Sequence, residues 1–147
     1  MDGILVRAVE EDDLVPIVEL LWQLKEYFHS KSKPNLVQVK RLYSEMFRNP
    51  QQYKNMAAPV NGAVVGFISV VYHKSFLSIG GTALINELVV SGMHRRSGIG
   101  SALVQAAVQI ARRDGMDQSR WGPREQMTRL QTFIESLASI LNTDYLE

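Results

Sequence analysis

Apolar residues along this chain follow two rhythms, and the switch between them marks out the elements. Ile4 to Val9 is a short apolar run that reads as a strand, and the acidic stretch behind it offers Asp12 or Asp13 as the N-cap of a helix. Leu14, Ile17, Val18, Leu20, Leu21 and Leu24 then recur at helical spacing, with Pro16 tolerable because it falls in the first turn. The segment "HSKSKPN" breaks that pattern. Asn35 caps a second predicted helix, which runs to about Phe47 with Leu36, Val39, Leu42, Tyr43 and Met46 along its apolar stripe.

Beyond "NPQQY" the period shortens. "YKNMAAPV" and "AVVGFISVVYH" read as antiparallel strands, and Asn61-Gly62 between them predicts a type I′ turn. Thr82 to Val90 is a further strand, and its apolar "LVV" ending suits a place near the middle of a sheet. Ser101 to Asp114 puts Leu103, Ala106, Ala107, Ile110 and Ala111 on one helical face, with Arg112 and Arg113 in the last turn and Gly115 just beyond. "MDQSRW" is a poor candidate for a strand. From Pro123, the positions Met127, Leu130, Ile134, Leu137 and Leu141 form a heptad-like stripe and predict one long helix. Such a helix either packs on the domain's own core or pairs with a second protomer. Only Asn142 to Glu147 follow it, so any closing strands of the sheet are expected to be shortened or absent.

At 147 residues, with no linker or internal repeat, the chain is expected to form a single domain over 1–147. Sixteen Lys plus Arg against fifteen Asp plus Glu give a net charge of +1, too little for a field that would hold a nucleic-acid backbone. There is no cysteine, which removes disulfides, thiolate metal sites and a cysteine nucleophile and fits a reducing compartment. His29, His73 and His94 lack metal-ligand spacing, so no metal site is expected. The acidic N-terminus does not resemble a secretory signal, and no window approaches the roughly 20 apolar residues of a membrane span. The expectation is a cytoplasmic protein with neither nucleic-acid nor membrane partners.

The chemistry concentrates at "RRSGIGSAL", Arg95 to Leu103, between the strand ending "ELVV" and the clearest helix. A helix N-terminus presents unpaired N–H groups and partial positive charge. Gly98 and Gly100 would admit an anion close to the main chain, and Arg95 and Arg96 would add charge-assisted contacts. The dinucleotide fingerprint fails because Leu103 stands where its third glycine belongs, and the Walker motif fails for want of Gly-Lys-Ser/Thr. A tight strand-to-helix turn with no ligand is the plainer alternative.

Arg-x-x-Gly-x-Gly in this setting resembles the acyl-CoA signature of the GNAT superfamily of acetyl-CoA-dependent N-acetyltransferases. "ILVRAVEEDDLVPIVEL" is similar to that family's first strand and helix, "NGAVVGFISVVYH" to its second and third strands, and "LINELVVSGMHRRSGIGSALVQAAVQIARRDG" to its fourth strand and third helix. The resemblance implies an α/β (α+β) sandwich, a mixed and mostly antiparallel sheet with helices on both faces, here with an atypical helical C-terminal segment. It implies that Arg95, Arg96, Ser97, Gly98, Ile99, Gly100 and Ser101 cradle the pyrophosphate of acetyl-CoA. Main-chain groups of Leu88, Val89 and Val90 would pair with the pantetheine arm where the fourth and fifth strands splay, and an N–H near Val89 or Val90 would polarise the thioester.

Acetyl transfer from sulfur to a primary amine needs a base for the amine and an acid for the thiolate. Glu87 stands where many family members carry the acidic residue that takes the proton; it reads equally as a solvated strand-end carboxylate, and Asn86 is the weaker candidate on the other face. The family's usual tyrosine acid lies in "FYxxxGF", of which "FIESLAS" looks like a remnant with Ile134 in the tyrosine's place; Tyr145, Tyr72 or water are the substitutes. Trp22, Tyr27 and Phe28 fall where the family places acceptor contacts, or are simply core and rim. The reading is an N-acetyltransferase acting on a small-molecule or peptide amine, with homodimerisation through the C-terminal helix as a further option. An acyl-CoA-binding module with little catalysis and a helix-mediated interaction protein are the alternatives.

Overall fold

The computed structural model describes residues 3–27, 35–76, 78–116 and 118–121. Its order is β1 (Arg7–Ala8), α1 (Leu14–Tyr27), α2 (Leu36–Phe47), β2 (Met56–Val60), β3 (Ala63–Ser75), β4 (Ser78–Val90), α3 (Ile99–Arg113) and β5 (Gln118–Trp121). The five strands form one sheet in sequence order. β1 to β4 pair antiparallel, and β5 returns parallel to β4 after the α3 crossover. The expected helix from Pro123, Ile134, Tyr145 and Phe28 lie outside the described residues. Among the described residues no helix is long and apolar enough to cross a membrane.

Helices cover both faces of the sheet, as the mixed apolar and alternating strands require. On one face, Ile99, Leu103, Val104, Ala107, Val108 and Ala111 of α3 pack on Ile68, Val70, Ala83, Ile85 and Leu88. On the other, Ile17 and Leu20 of α1 and Tyr43 of α2 pack on Phe67 and Val89. Every one of these side chains is at most 7% exposed, so the sheet is closed off from water above and below.

The local expectations mostly hold. Val60 pairs with Ala63 across a two-residue turn in which Asn61 (φ 51°) and Gly62 (φ 82°) are both left-handed, the type I′ geometry that Asn-Gly favours. Asn35 caps α2 by accepting from the Gln38 amide at 2.8 Å. Two expectations fail. "QSRW" is a strand after all: Thr82 to Ile85 of β4 align with Gln118 to Trp121, so a partner edge, not alternation, makes it extended. Neither Asp12 nor Asp13 is the N-cap; a short 3-10 turn, Glu11–Asp13, precedes α1 with Glu10 at its cap.

Asp13 has other work. Its carboxylate accepts from both terminal nitrogens of the Arg7 guanidinium, at 2.7 and 3.1 Å, and from the Glu10 amide at 2.7 Å. The Tyr43 hydroxyl donates to the Glu10 carbonyl, so this cluster fastens β1, the entry to α1, and α2. Burial alone would raise the Asp13 pKa, but the Arg7 and Glu10 hydrogen bonds and the Arg7 charge outweigh it and hold the carboxyl below its ordinary value. Burial pushes the Tyr43 phenol up to about 12, so it remains a donor at neutral pH.

Gly66 sets how closely α3 lies on the sheet. A Cβ there would come within 2.8 Å of Ile99 Cγ2 and 3.0 Å of Leu103 Cδ1, in the first turns of that helix. Gly66→Ala is therefore expected to cost about 1–3 kcal/mol by overpacking, read as a lower denaturant midpoint; an unchanged midpoint would show that α3 has room to move. Asp13→Asn should cost about 2 kcal/mol, tempered by the partial exposure of Arg7. Because the folded pKa of Asp13 is depressed, its contribution is full above the ordinary value of 3.8 and is lost as pH falls through the folded value. Wild type should lose stability over that acidic range more steeply than Asp13→Asn, as pH-dependent unfolding curves will show.

Candidate functional site

The site begins where β4 loses one of its neighbours. β5 covers β4 over Thr82 to Ile85, and among the described residues no strand lies beside the same edge from Asn86 to Val90. The other edge stays bonded to β3, with Leu88, Val89 and Val90 opposite Ile68, Phe67 and Gly66. An extended segment held on one side and open on the other can take an extended ligand as an added strand.

A bulge falls at the point where the strands part. Ser69 faces Glu87 and Val70 faces Ile85, which leaves Asn86 as an extra residue. The alternation of β4 therefore changes phase. Ala83 and Ile85 pack under α3, and so does Leu88, whereas Val89 packs under α1. Glu87, two residues before Val89, is turned to the α1 face by the same alternation. It is half-buried there, and burial raises its pKa, partly offset by a hydrogen bond from Ser69. It is not a fully solvated strand-end carboxylate.

From Val90 the chain runs through a 3-10 turn, Gly92–His94, to Gly98 at the cap of α3. Several contacts fix the loop. The Ser91 amide donates to the Val65 carbonyl at 2.7 Å, the Gly92 amide to Gln23 Oε1 of α1 at 3.3 Å, and the Ser97 hydroxyl to the His94 carbonyl. Gly98 is left-handed (φ 88°, ψ 2°) and supplies no side-chain cap; the Ala102 amide is the first to bond back, to the Gly98 carbonyl at 3.0 Å. The amides of Ile99, Gly100 and Ser101 thus stand at the open end of the helix with no intrahelical acceptor. Arg96 is also left-handed, at φ 63°, a conformation costly for a residue with a Cβ.

Each expected residue can now be placed. Leu88 and Val89 are buried and offer a ligand only their main chain, while Val90 is half-buried at the strand end. Ile99 anchors α3 in the core, and Gly100 and Ser101 are half-buried in its first turn. Arg95, Arg96 and Ser97 are exposed, and Arg95 Nε reaches back to the Val90 carbonyl at 3.5 Å. The loop thereby brings the amides, both arginines and the open edge of β4 to one end of the sheet, with Glu87 a few residues up the strand. Tyr72 is elsewhere: it packs in the α3 cluster and donates its hydroxyl to Asp114 Oδ2 at 2.6 Å.

Three residues escaped the sequence reading. Ser69 carries a signal, a single hydroxyl within the apolar run Val64 to Val71, and so does Gly66, a glycine in mid-strand. Gln23 carries none, since its partner is a main-chain amide far along the chain.

The arrangement can be set beside known proteins. The model of the acetyltransferase (GNAT) family matches residues 14–137. Among solved structures, a transcriptional regulator from Bacillus halodurans C-125 superposes with a TM-score of 0.78 at 23% identity, over 92% of this chain and 91% of that one. Glucosamine-6-phosphate N-acetyltransferase from Arabidopsis thaliana gives 0.76 at 18% identity, over 93% and 91%. Ribosomal-protein-alanine N-acetyltransferase from Brucella melitensis biovar Abortus 2308 gives 0.72 at 16% identity, over 90% of each chain. Identities this low carry the fold alone. Among curated protein sequences none matches. A family model that spans most of the chain, over a sheet and crossover helix shared with these structures, settles its place: the chain belongs to the GNAT family of acetyltransferases.

Proposed function

We propose that the protein is an N-acetyltransferase that uses acetyl-CoA to acetylate a primary amine on a small molecule or peptide by direct transfer. The observation that carries this reading is the meeting of the uncapped α3 N-terminus with the open Asn86–Val90 edge of β4. A diphosphate suits the first, an extended amide-bearing arm suits the second, and acetyl-CoA contains both. When bound, it supplies an acetyl group activated as a thioester.

The chain's own residues do the rest. Amides of Ile99, Gly100 and Ser101 and the Arg95 and Arg96 side chains hold the phosphates. Main-chain groups of Leu88, Val89 and Val90 hold the arm, and an N–H near Val89 or Val90 stabilises negative charge on the acetyl oxygen. Glu87, whose pKa burial raises, accepts the proton of the attacking amine. The acceptor differs among the neighbours, whose names point to a sugar phosphate and to a protein alanine. We assign none here.

One observation favours a second reading, a CoA-binding module with little catalysis. Ile134 stands where the resemblance would put the family's tyrosine, and Tyr72, a substitute acid suggested by the sequence, is committed to Asp114 on the α3 face. Release of free thiol from acetyl-CoA across a panel of amines decides between the two: the enzyme releases it, the module does not.

Acetyl-CoA at 100 times its Kd should stabilise the wild-type protein by about 2.7 kcal/mol, seen as a rise in Tm. Gly100→Leu should abolish that rise by closing the approach to the helix amides, and a full rise in this variant would sink the assignment. Glu87→Gln should keep the Tm rise and lower kcat about 100-fold or more. With Glu87 as base, kcat/KM should fall on acidification along a limb centred above the ordinary value of 4.5, and Glu87→Gln should lose that limb.

A further inference from the structure

Ser69 is the one hydroxyl in the apolar stretch of β3 from Val64 to Val71, and it is 3% exposed. Serine is a poor strand former and a buried hydroxyl without a partner is costly, so its place in a central strand calls for a reason. The ladder supplies one: Ser69 lies directly opposite Glu87, at the last aligned pair before the Asn86 bulge. Side chains so paired stand about 5 Å apart at Cβ, close enough for a hydroxyl to meet a carboxylate. The buried cluster on that face consists of the apolar Phe67, Val89, Ile17 and Leu20 together with Tyr43, whose hydroxyl is taken up by the Glu10 carbonyl.

We propose that Ser69 is the positioning residue for Glu87, its buried hydroxyl fixing the carboxylate in one orientation at the point where β4 parts from β5. The inference rests on Glu87 as the proton acceptor proposed above. Without the bulge, Glu87 would fall on the face of Ile85, beneath α3, and no cross-strand hydroxyl would reach it. The hydroxyl also opposes the effect of burial on the carboxyl. Among the described side chains of the covering helices, the charged Glu19 on α1 and Lys40, Arg41 and Glu45 on α2 are exposed.

The test follows the Glu87 carboxyl directly, by NMR titration of protein labelled with 13C at the glutamate side chain, with Glu87→Gln to assign the signal. Ser69→Ala should raise the Glu87 midpoint by about half to one pH unit, and Ser69→Thr, which restores a hydroxyl on a side chain suited to strands, should keep the wild-type value. An unchanged midpoint in folded Ser69→Ala overturns the proposal whether or not the protein is an enzyme. In thiol-release assays, Ser69→Ala should lower kcat about three- to tenfold, leave KM for acetyl-CoA unchanged, and move the acidic limb of kcat/KM with the NMR midpoint. A midpoint that moves while the limb stays put upholds the Ser69 contact and overturns Glu87 as the base.

Discussion

Everything proposed for this protein depends on β4 having two edges of different fate. One is bonded to β3 along most of its length, while among the described residues β5 covers the other from Thr82 to Ile85 and no further. A strand's backbone groups must be paired or hydrated, so a strand half released from its neighbour is primed for an extended ligand in a way that no side chain could arrange alone. The bulge at Asn86 sits at the release point and re-aims the side chains just beyond it. One inserted residue thus shapes both the backbone opening and the direction of Glu87.

Rigid packing holds this edge in register with the helix that faces it. Gly66 allows Ile99 and Leu103 to approach β3 at a distance no Cβ would permit. The same short stretch of β3 pairs with Val90 and, through the Val65 carbonyl, receives the Ser91 amide. Strand end, loop and helix start are therefore located against one small piece of backbone. The cluster of Arg7, Asp13, Glu10 and Tyr43 does the same for the opposite layer, fastening the first strand to the two helices that roof the Glu87 face.

Much of this was legible in the sequence because its signals are local. Asn61-Gly62 demands a left-handed turn, Asn35 announces a cap, and "RRSGIGSAL" between an apolar strand and a helix declares a tight strand-to-helix turn. What escaped depends on contacts far apart in sequence. "QSRW" has no alternation of its own and becomes a strand because the edge of β4 is beside it. Asp13 looked like a cap and is chiefly the partner of Arg7. The phase change at Asn86 is invisible in "LINELVV", since a bulge belongs to the ladder and not to either strand, and so the pairing of Ser69 with Glu87 was hidden too.

The route of the chain through α3 adds a consequence for how the protein comes into being. Parallel neighbours cannot be joined by a hairpin, so the chain reaches the β4 edge with β5 only by way of the α3 crossover. Strands β2 to β4, linked by short connections, are poised to assemble first, and until the crossover closes they present the whole outer side of β4 to any other extended chain. The line that lies open before the crossover closes is thus the same one along which an extended ligand is proposed to pair.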